Sequence, residues 1–297
     1  MRVLVTGATG FVGGRLVPGL VDAGHDVVAL VRDASRYDEP AGVDVVEGDL
    51  LEPATLPPAV EGVEAAYYLV HSMQAGEDYA ERDRRAATNF RAAADEAGVE
   101  RVVYLGGLGE ERDELSEHLS SRREVEAVLA EGEYALTVLR AAVVVGAGSA
   151  SFDMVRQLSK RLPVMVTPKW VSTRTQPIAI DDVVAYLVGV LDAPETAGET
   201  YEVGGPDVLT YAEMLRRTAR QIRGRAPMIV PVPVLSPKLS AYWVDLVTDV
   251  PREVAHPLIL GMRNEVVVRD DSIRDHVEVD RTPFDEAIER ALRREEA

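Results

Sequence analysis

The chain runs to 297 residues, longer than a single core usually grows, so a large α/β domain with a smaller appended lobe is expected. Its formal charge of −18 disfavours nucleic acid and anionic lipid as partners, and the absence of cysteine excludes disulfides, thiolate metal ligands and thiol nucleophiles. Apolar residues at 46% and charged residues at 28% are the proportions of a folding globular chain, and no apolar run is long enough to span a bilayer.

Short apolar runs alternate with longer amphipathic segments from the start of the chain. Residues 3–6, 27–31, 43–47, 65–70, 102–105 and 136–139 read as buried strands, and 11–23, 79–97 and 116–129 as helices. This alternation predicts right-handed βαβ crossovers and an α/β fold, a doubly wound parallel Rossmann sheet covered on both faces. Gly24, Gly98 and Gly132 follow the helical stretches, where a left-handed residue would end each one. Past about residue 152 the alternation loosens, leaving 175–180, 200–203 and 228–232 as strand candidates. Pro227, Pro231, Pro233 and Pro237 make 228–234 an edge strand or an extended loop. Residues 236–247 carry Leu239, Tyr242, Trp243, Leu246 and Val247 at helical spacing, which suits a core-facing or dimer-facing helix better than a membrane anchor. The expected division is a dinucleotide-binding core over 1–150, followed by 151–297, which partly completes the sheet and forms a smaller C-terminal α/β substrate lobe.

The strongest signal lies at the first strand-to-helix turn. Gly7, Gly10 and Gly13 stand at spacing G-x-x-G-x-x-G between a strand and a helix. Gly7 permits a sharp turn, Gly10 lets the backbone approach a pyrophosphate, and Gly13 lets the helix lie close to the strand. The free amides of the first helical turn then face the phosphate charge. A dinucleotide is therefore the expected cofactor.

The run Thr6-Gly7-Ala8-Thr9-Gly10-Phe11-Val12-Gly13 resembles the short-chain dehydrogenase/reductase superfamily, whose extended and atypical branches carry T-G-A-T-G-F-x-G here. Tyr67 to Met73, Tyr104 to Gly109, Leu139-Arg140-Ala141 and Gly204-Gly205-Pro206-Asp207 extend the likeness over nearly all of the chain. They resemble an atypical NAD(P)-binding subgroup related to the NmrA-like proteins and to the accessory nucleotide-binding subunit of respiratory complex I. The resemblance implies a cofactor site of Gly7, Thr9, Gly10, Phe11, Val12, Arg32, Asp49, Leu50, Val70, His71, Gly106 and Arg122. Val31 aligns with the acid that selects NAD(H), and Arg32 follows it, so NADP(H) is favoured over NAD(H), while Asp33 keeps NAD(H) open. Asp49 has either an adenine-contact or a helix-capping role, or both.

The superfamily's reaction centre combines a serine at the end of the fifth strand with a tyrosine four residues before a lysine. Here the serine position is glycine, in Tyr104-Leu105-Gly106-Gly107, and the resemblance puts His118 on the tyrosine and Arg122 on the lysine. His118 and Arg122 are the catalytic candidates, with Ser121 and Glu126 matching the trailing pattern; the alternative is a polar pair on a helix face. His71 either replaces the missing acid or base or simply ends its strand. The histidines show no metal-ligand spacing, so no metal site is expected.

The expected function is an NADP(H)-dependent oxidoreductase acting on a small hydrophobic molecule, with pocket walls from residues 143–152, 171–176 and 231–243. The alternative is a non-catalytic NADP(H)-binding sensor or accessory subunit. The strand-like Arg2-Val3-Leu4-Val5 start leaves no room for a signal peptide, so a soluble cytoplasmic protein is expected, with a homodimer left open. With only Lys160, Lys169 and Lys238 against 50 acids, the composition suits a halophile or an acidic protein from a GC-rich genome.

Overall fold

In the computed structural model, residues 1–72, 79–109, 117–232 and 248–296 are described, apart from the side chains of residues 117, 118, 169, 170, 231 and 296. The first half runs β1 (Arg2–Thr6), α1 (Gly13–Asp22), β2 (Asp26–Val31), β3 (Val43–Glu47), α2 (Pro57–Val60), β4 (Ala65–Tyr68), α3 (Tyr79–Ala97), β5 (Arg101–Gly107), α4 (Glu117–Leu129) and β6 (Ala135–Ala141). It continues with β7 (Val144–Val145), α5 (Ala150–Arg161), β8 (Val164–Pro168), β9 (Arg174–Thr175), β10 (Ile178–Ala179), α6 (Ile180–Asp192) and β11 (Thr200–Val203). The last described elements are β12 (Leu209–Thr210), α7 (Tyr211–Arg223), β13 (Met228–Val232), α8 (Arg252–Gly261) and α9 (Phe284–Glu296).

Seven strands form one sheet in the order β11-β6-β5-β4-β1-β2-β3, with every pair parallel. Because both faces of a parallel sheet are covered, Val3, Leu4 and Val5 are all fully buried rather than alternating. Val3 and Val5 face the layer of α1 and α6, with Leu16, Leu20 and Val183. Leu4 and Val28 face Phe90, Val125 and Leu129 of α3 and α4. The strand order reverses between β1 and β4, and it is outside the C-terminal strand ends at such a reversal that open α/β sheets bind ligands. At this point the Thr6 hydroxyl donates to the Tyr67 carbonyl at 3.0 Å and accepts from the Leu69 amide at 3.3 Å, fixing the two strand ends together.

Elements beyond β6 build a third apolar cluster, with Phe152 of α5, Met214 of α7, Ile259 of α8 and Ile288 of α9 at its centre. Two pieces return to the main sheet: β11 pairs with β6, and α6 covers the α1 face.

Several expected boundaries shift for identifiable reasons. The helix expected from residue 11 begins at Gly13, because Gly7 to Val12 form the turn, closed by the Gly10 amide on the Gly7 carbonyl at 2.9 Å. The strand expected over 65–70 ends at Tyr68. The strand expected over 175–180 splits into β9 and β10 around Pro177, which has no amide to donate, and Ile180 already opens α6. Gly24 and Gly98 adopt the expected positive φ of 86° and 71°, whereas Gly132 does not. At Gly132 the constraint is packing, since an added Cβ would lie 2.4 Å from the Tyr134 ring. Residue 116 and the segment 236–247 lie outside the described residues.

Candidate cofactor and substrate site

The glycine loop has the geometry that its spacing demands. Gly7 sits at φ 74°, and a Cβ there would come 3.1 Å from the Leu69 carbonyl. A Cβ on Gly13 would lie 2.2 Å from the Gly7 oxygen, so that glycine is what allows α1 to start against β1. A Cβ on Gly10 would meet only the Gly7 oxygen, at 3.1 Å, and Thr9 and Gly10 are exposed. The open side of the loop is thus at Gly10. Helix α1 has no side-chain N-cap and no acid in its first turn, leaving its amide end available to an anion. Arg15 braces the loop from behind, donating to the carbonyls of Phe11 and Ala147 at 2.7 Å each.

At the ends of β4 and β5, a histidine, an aspartate and an arginine converge. Asp83 of α3 is only 1% exposed; its carboxylate accepts from the Ser72 amide at 2.8 Å and lies 3.1 Å from His71 Nδ1. Burial raises the Asp83 carboxyl, but the His71 and Ser72 hydrogen bonds outweigh it, and the net shift is downward. Burial and the Arg122 charge hold His71 below its ordinary value, against the pull of Asp83. The ring is therefore neutral at pH 7, with its proton on Nδ1 donated to Asp83. Arg122 of α4 donates to the Leu105 carbonyl at 3.1 Å and lies over the Tyr104 ring, 5.5 Å from its centre. Its Nη1 is buried with no partner among the described residues. A buried guanidinium donor left open in this way fits a site that a polar ligand completes.

His71 and Arg122 open onto a cavity of about 290 Å³. Its lining takes Phe11 and Val12 from the glycine turn, His71, Gly106 and Arg122 from the ends of the strands and α4, and the apolar side chains of Leu108, Ala142, Val144, Val155, Leu258 and Met262. Ser149, Ser151 and Tyr211 add sparse polar groups. Of the expected pocket walls, Val143, Val144 and residues 149–151 are present. The 171–176 stretch is not, because Val171 belongs to the third cluster and Gln176 turns its amide to the Gly205 carbonyl at 2.7 Å. Residues 233–243 lie outside the described set, and α8 and Val266 wall the cavity in addition.

The other end of the crevice lies beyond β2 and β3. Arg32 is exposed and engaged by no acid among the described residues. Asp33 is occupied, its Oδ1 accepting from the Ser35 amide and hydroxyl at 3.1 and 2.6 Å. Asp49 caps the turn after β3, accepting from the Leu51 amide at 2.9 Å. The Leu50 and Val70 side chains pack into the α3-side core, and the Leu50 carbonyl is held by Asn89 at 2.7 Å.

The structure thus gathers Phe11, Val12, His71, Gly106 and Arg122 around one cavity, with Gly7, Thr9 and Gly10 in the adjoining loop. Arg32, Asp49 and Leu50 stand apart at the ends of β2 and β3. The backbone of His118 falls in α4, one turn before Arg122, while its side chain lies outside the described residues. Asp83 escaped the sequence reading, although its signal was present. It occupies the same helical face as Tyr79, Ala86, Ala87 and Phe90, an acid at a core position.

This arrangement defines a dinucleotide-binding Rossmann protein. Residues 7–145 match the family described as NAD(P)H-binding. The chain is 29% identical over 226 residues to (4-alkanoyl-5-oxo-2,5-dihydrofuran-3-yl)methyl phosphate reductase of Streptomyces griseus, covering 73% of each. It is 26% identical over 244 residues to a photosystem II assembly factor of Synechocystis sp., covering 79% of this chain and 72% of that one. In fold it is similar to the triphenylmethane reductase of a Citrobacter species complexed with NADP(H), at 20% identity and a TM-score of 0.79 over 98% of this chain and all of the other. The family match thus covers the glycine loop and the strands up to β7, and over the rest of the chain the likeness to solved structures is one of fold.

Proposed function

We propose that the protein is an NADP(H)-dependent oxidoreductase acting on a small hydrophobic molecule. The cavity carries this reading, because one continuous space joins the glycine-loop residues Phe11 and Val12 to His71 and Arg122 and then to an apolar wall. In this reading Gly7, Thr9, Gly10, Phe11 and Val12 hold the pyrophosphate, Asp49 and Leu50 flank the adenine, and Val70, His71, Gly106 and Arg122 border the nicotinamide side. Bound NADPH supplies a hydride. Arg122 keeps a fixed positive charge beside the reacting end, and His118, one turn earlier on α4, exchanges the proton. The unengaged Arg32 and the occupied carboxylate of Asp33 support selection of the 2′-phosphate form. The kinship to the reductase of Streptomyces griseus points the same way.

A second reading, a non-catalytic NADP(H)-binding accessory protein, is favoured by Gly106 and Gly107 at the strand end that carries a serine in the superfamily. The kinship to a photosystem II assembly factor supports it. Following NADPH absorbance across a panel of apolar carbonyls, enones and quinones separates the two. Turnover is expected with at least one apolar acceptor; stoichiometric NADPH binding without oxidation across the panel would replace the first reading by the second.

A further inference from the structure

The parallel pair β8 and β13 has one face in the core and one face in solvent. In its register Ile229 stands opposite Met165, and both belong to the third apolar cluster. On the outer face Met228 stands opposite Val164 and Val230 opposite Val166, with exposures of 65%, 51%, 41% and 51% in that order. Four large aliphatic side chains thus form one contiguous exposed sheet face, and apolar patches of this kind mark interaction surfaces.

The two segments that carry this face are themselves basic, in contrast to the chain as a whole. Residues 154–168 carry Arg156, Lys160 and Arg161, residues 214–232 carry five arginines, and neither segment contains Asp or Glu, in a chain of −18. The two segments meet at the start of the strand pair, where Arg223 donates to the Leu162 carbonyl at 3.0 Å and the Met228 amide donates to the Pro163 carbonyl at 3.0 Å. Arg156 is answered by Asp153 and Glu295, Arg161 by Asp249, and Arg217 by Asp207 and Asp285. Lys160, Arg220 and Arg225 are exposed and form no ion pair among the described residues.

We infer that this basic-rimmed apolar face docks the protein peripherally on an anionic phospholipid surface. The aliphatic side chains enter the headgroup boundary while Lys160, Arg220 and Arg225 meet lipid phosphates, as interfacial anchors do. A bilayer is favoured over a second copy seated face to face, because that arrangement would set the same basic rims against each other. The repulsion expected from the overall charge is averaged over the molecule, whereas only charges within a Debye length of the surface count at contact, about 10 Å at moderate salt. No helix among the described residues is long and apolar enough to cross a membrane, so the association is one of surface contact.

The test is flotation of the full chain, at moderate salt, with vesicles of phosphatidylglycerol and phosphatidylcholine, alongside pure phosphatidylcholine vesicles. The protein is expected to float with the anionic vesicles alone. Lys160→Glu combined with Arg225→Glu, and separately Val166→Asp combined with Met228→Asp, should each weaken binding by at least about tenfold, given that each basic residue near an anionic surface contributes several-fold. Circular dichroism and melting temperatures matching the wild type show that the variants fold. The proposal is overturned by no flotation, by equal flotation on both vesicle types, or by folded variants that float as well as the wild type. It is overturned equally if sedimentation shows the face occupied by a second copy.

Discussion

Three glycines in one turn have separable duties. Gly13→Ala would drive a Cβ into the Gly7 oxygen, so a stability loss of about 1–3 kcal/mol, the scale of overpacking, is expected by denaturant unfolding. Gly10→Val instead projects from the open side, and it should leave the fold intact while abolishing NADPH binding, read by titration calorimetry. Arg32→Ala should cost about 1–3 kcal/mol of affinity for NADPH and little for NADH, the scale of a charge-assisted contact. An unchanged ratio of the two affinities would remove Arg32 as the reader of the 2′-phosphate. His71 gives a signature in pH. Its folded pKa lies below the ordinary value, so the unfolded chain takes up the proton first, and stability present above about pH 6.5 declines as the pH falls below it. His25, shifted the same way by burial, contributes in the same window, whereas Asp83, shifted down, loses its contribution only in the carboxylate range. Melting temperatures should therefore fall between about pH 7.5 and 5.5, and less steeply in His71→Asn. An identical slope in that variant would contradict the account of the buried neutral ring.

At the level of elements, what could be read in the sequence was whatever depends on local order. The six strands β1 to β6 and the helices α1, α3 and α4 are legible because each is a contiguous apolar or amphipathic run closed by a turn residue. Helix α7 was also legible and was missed. Thr210 and Glu213 form a reciprocal capping box at its start, and Gly224 at φ 71° ends it. Three other features could not be read locally: the pairing of β8 with β13, the hold of Asp83 on Ser72 and His71, and the cavity wall supplied by α8. Each joins residues through tertiary packing that no short window contains. The glycine loop was legible because its chemistry is backbone chemistry, whereas the cluster of His71, Asp83 and Arg122 depends on side chains after β4 and on α3 and α4 that meet only in the fold. The C-terminal region is tied down in the same non-local way. Buried Asp182 of α6 accepts from the Thr282 amide and hydroxyl at 2.7 and 2.8 Å, just ahead of α9. Asp182→Ala strands both donors, and about 2–4 kcal/mol of stability should be lost in denaturant unfolding.

For the whole molecule, the dominant fact outside the site is the charge of −18. We propose that this surface is adapted to a salt-rich interior, in which case the melting temperature rises between low and molar potassium chloride as screening relieves self-repulsion. A flat or falling dependence would favour the plain acidic alternative. The charge is unevenly distributed, and the basic segments 154–168 and 214–232 include the exposed faces of β8 and β13. The central claim remains that one crevice, from the glycine loop to Arg122, takes NADPH with an apolar molecule beside it. A crystal structure of the NADPH complex tests it most directly. The account predicts the pyrophosphate against the amides of Gly10 to Val12, the 2′-phosphate beside Arg32, and the nicotinamide ribose within hydrogen-bond or single-water reach of Arg122. A nucleotide bound elsewhere, or a nicotinamide ribose more than about 8 Å from both His118 and Arg122, would contradict it.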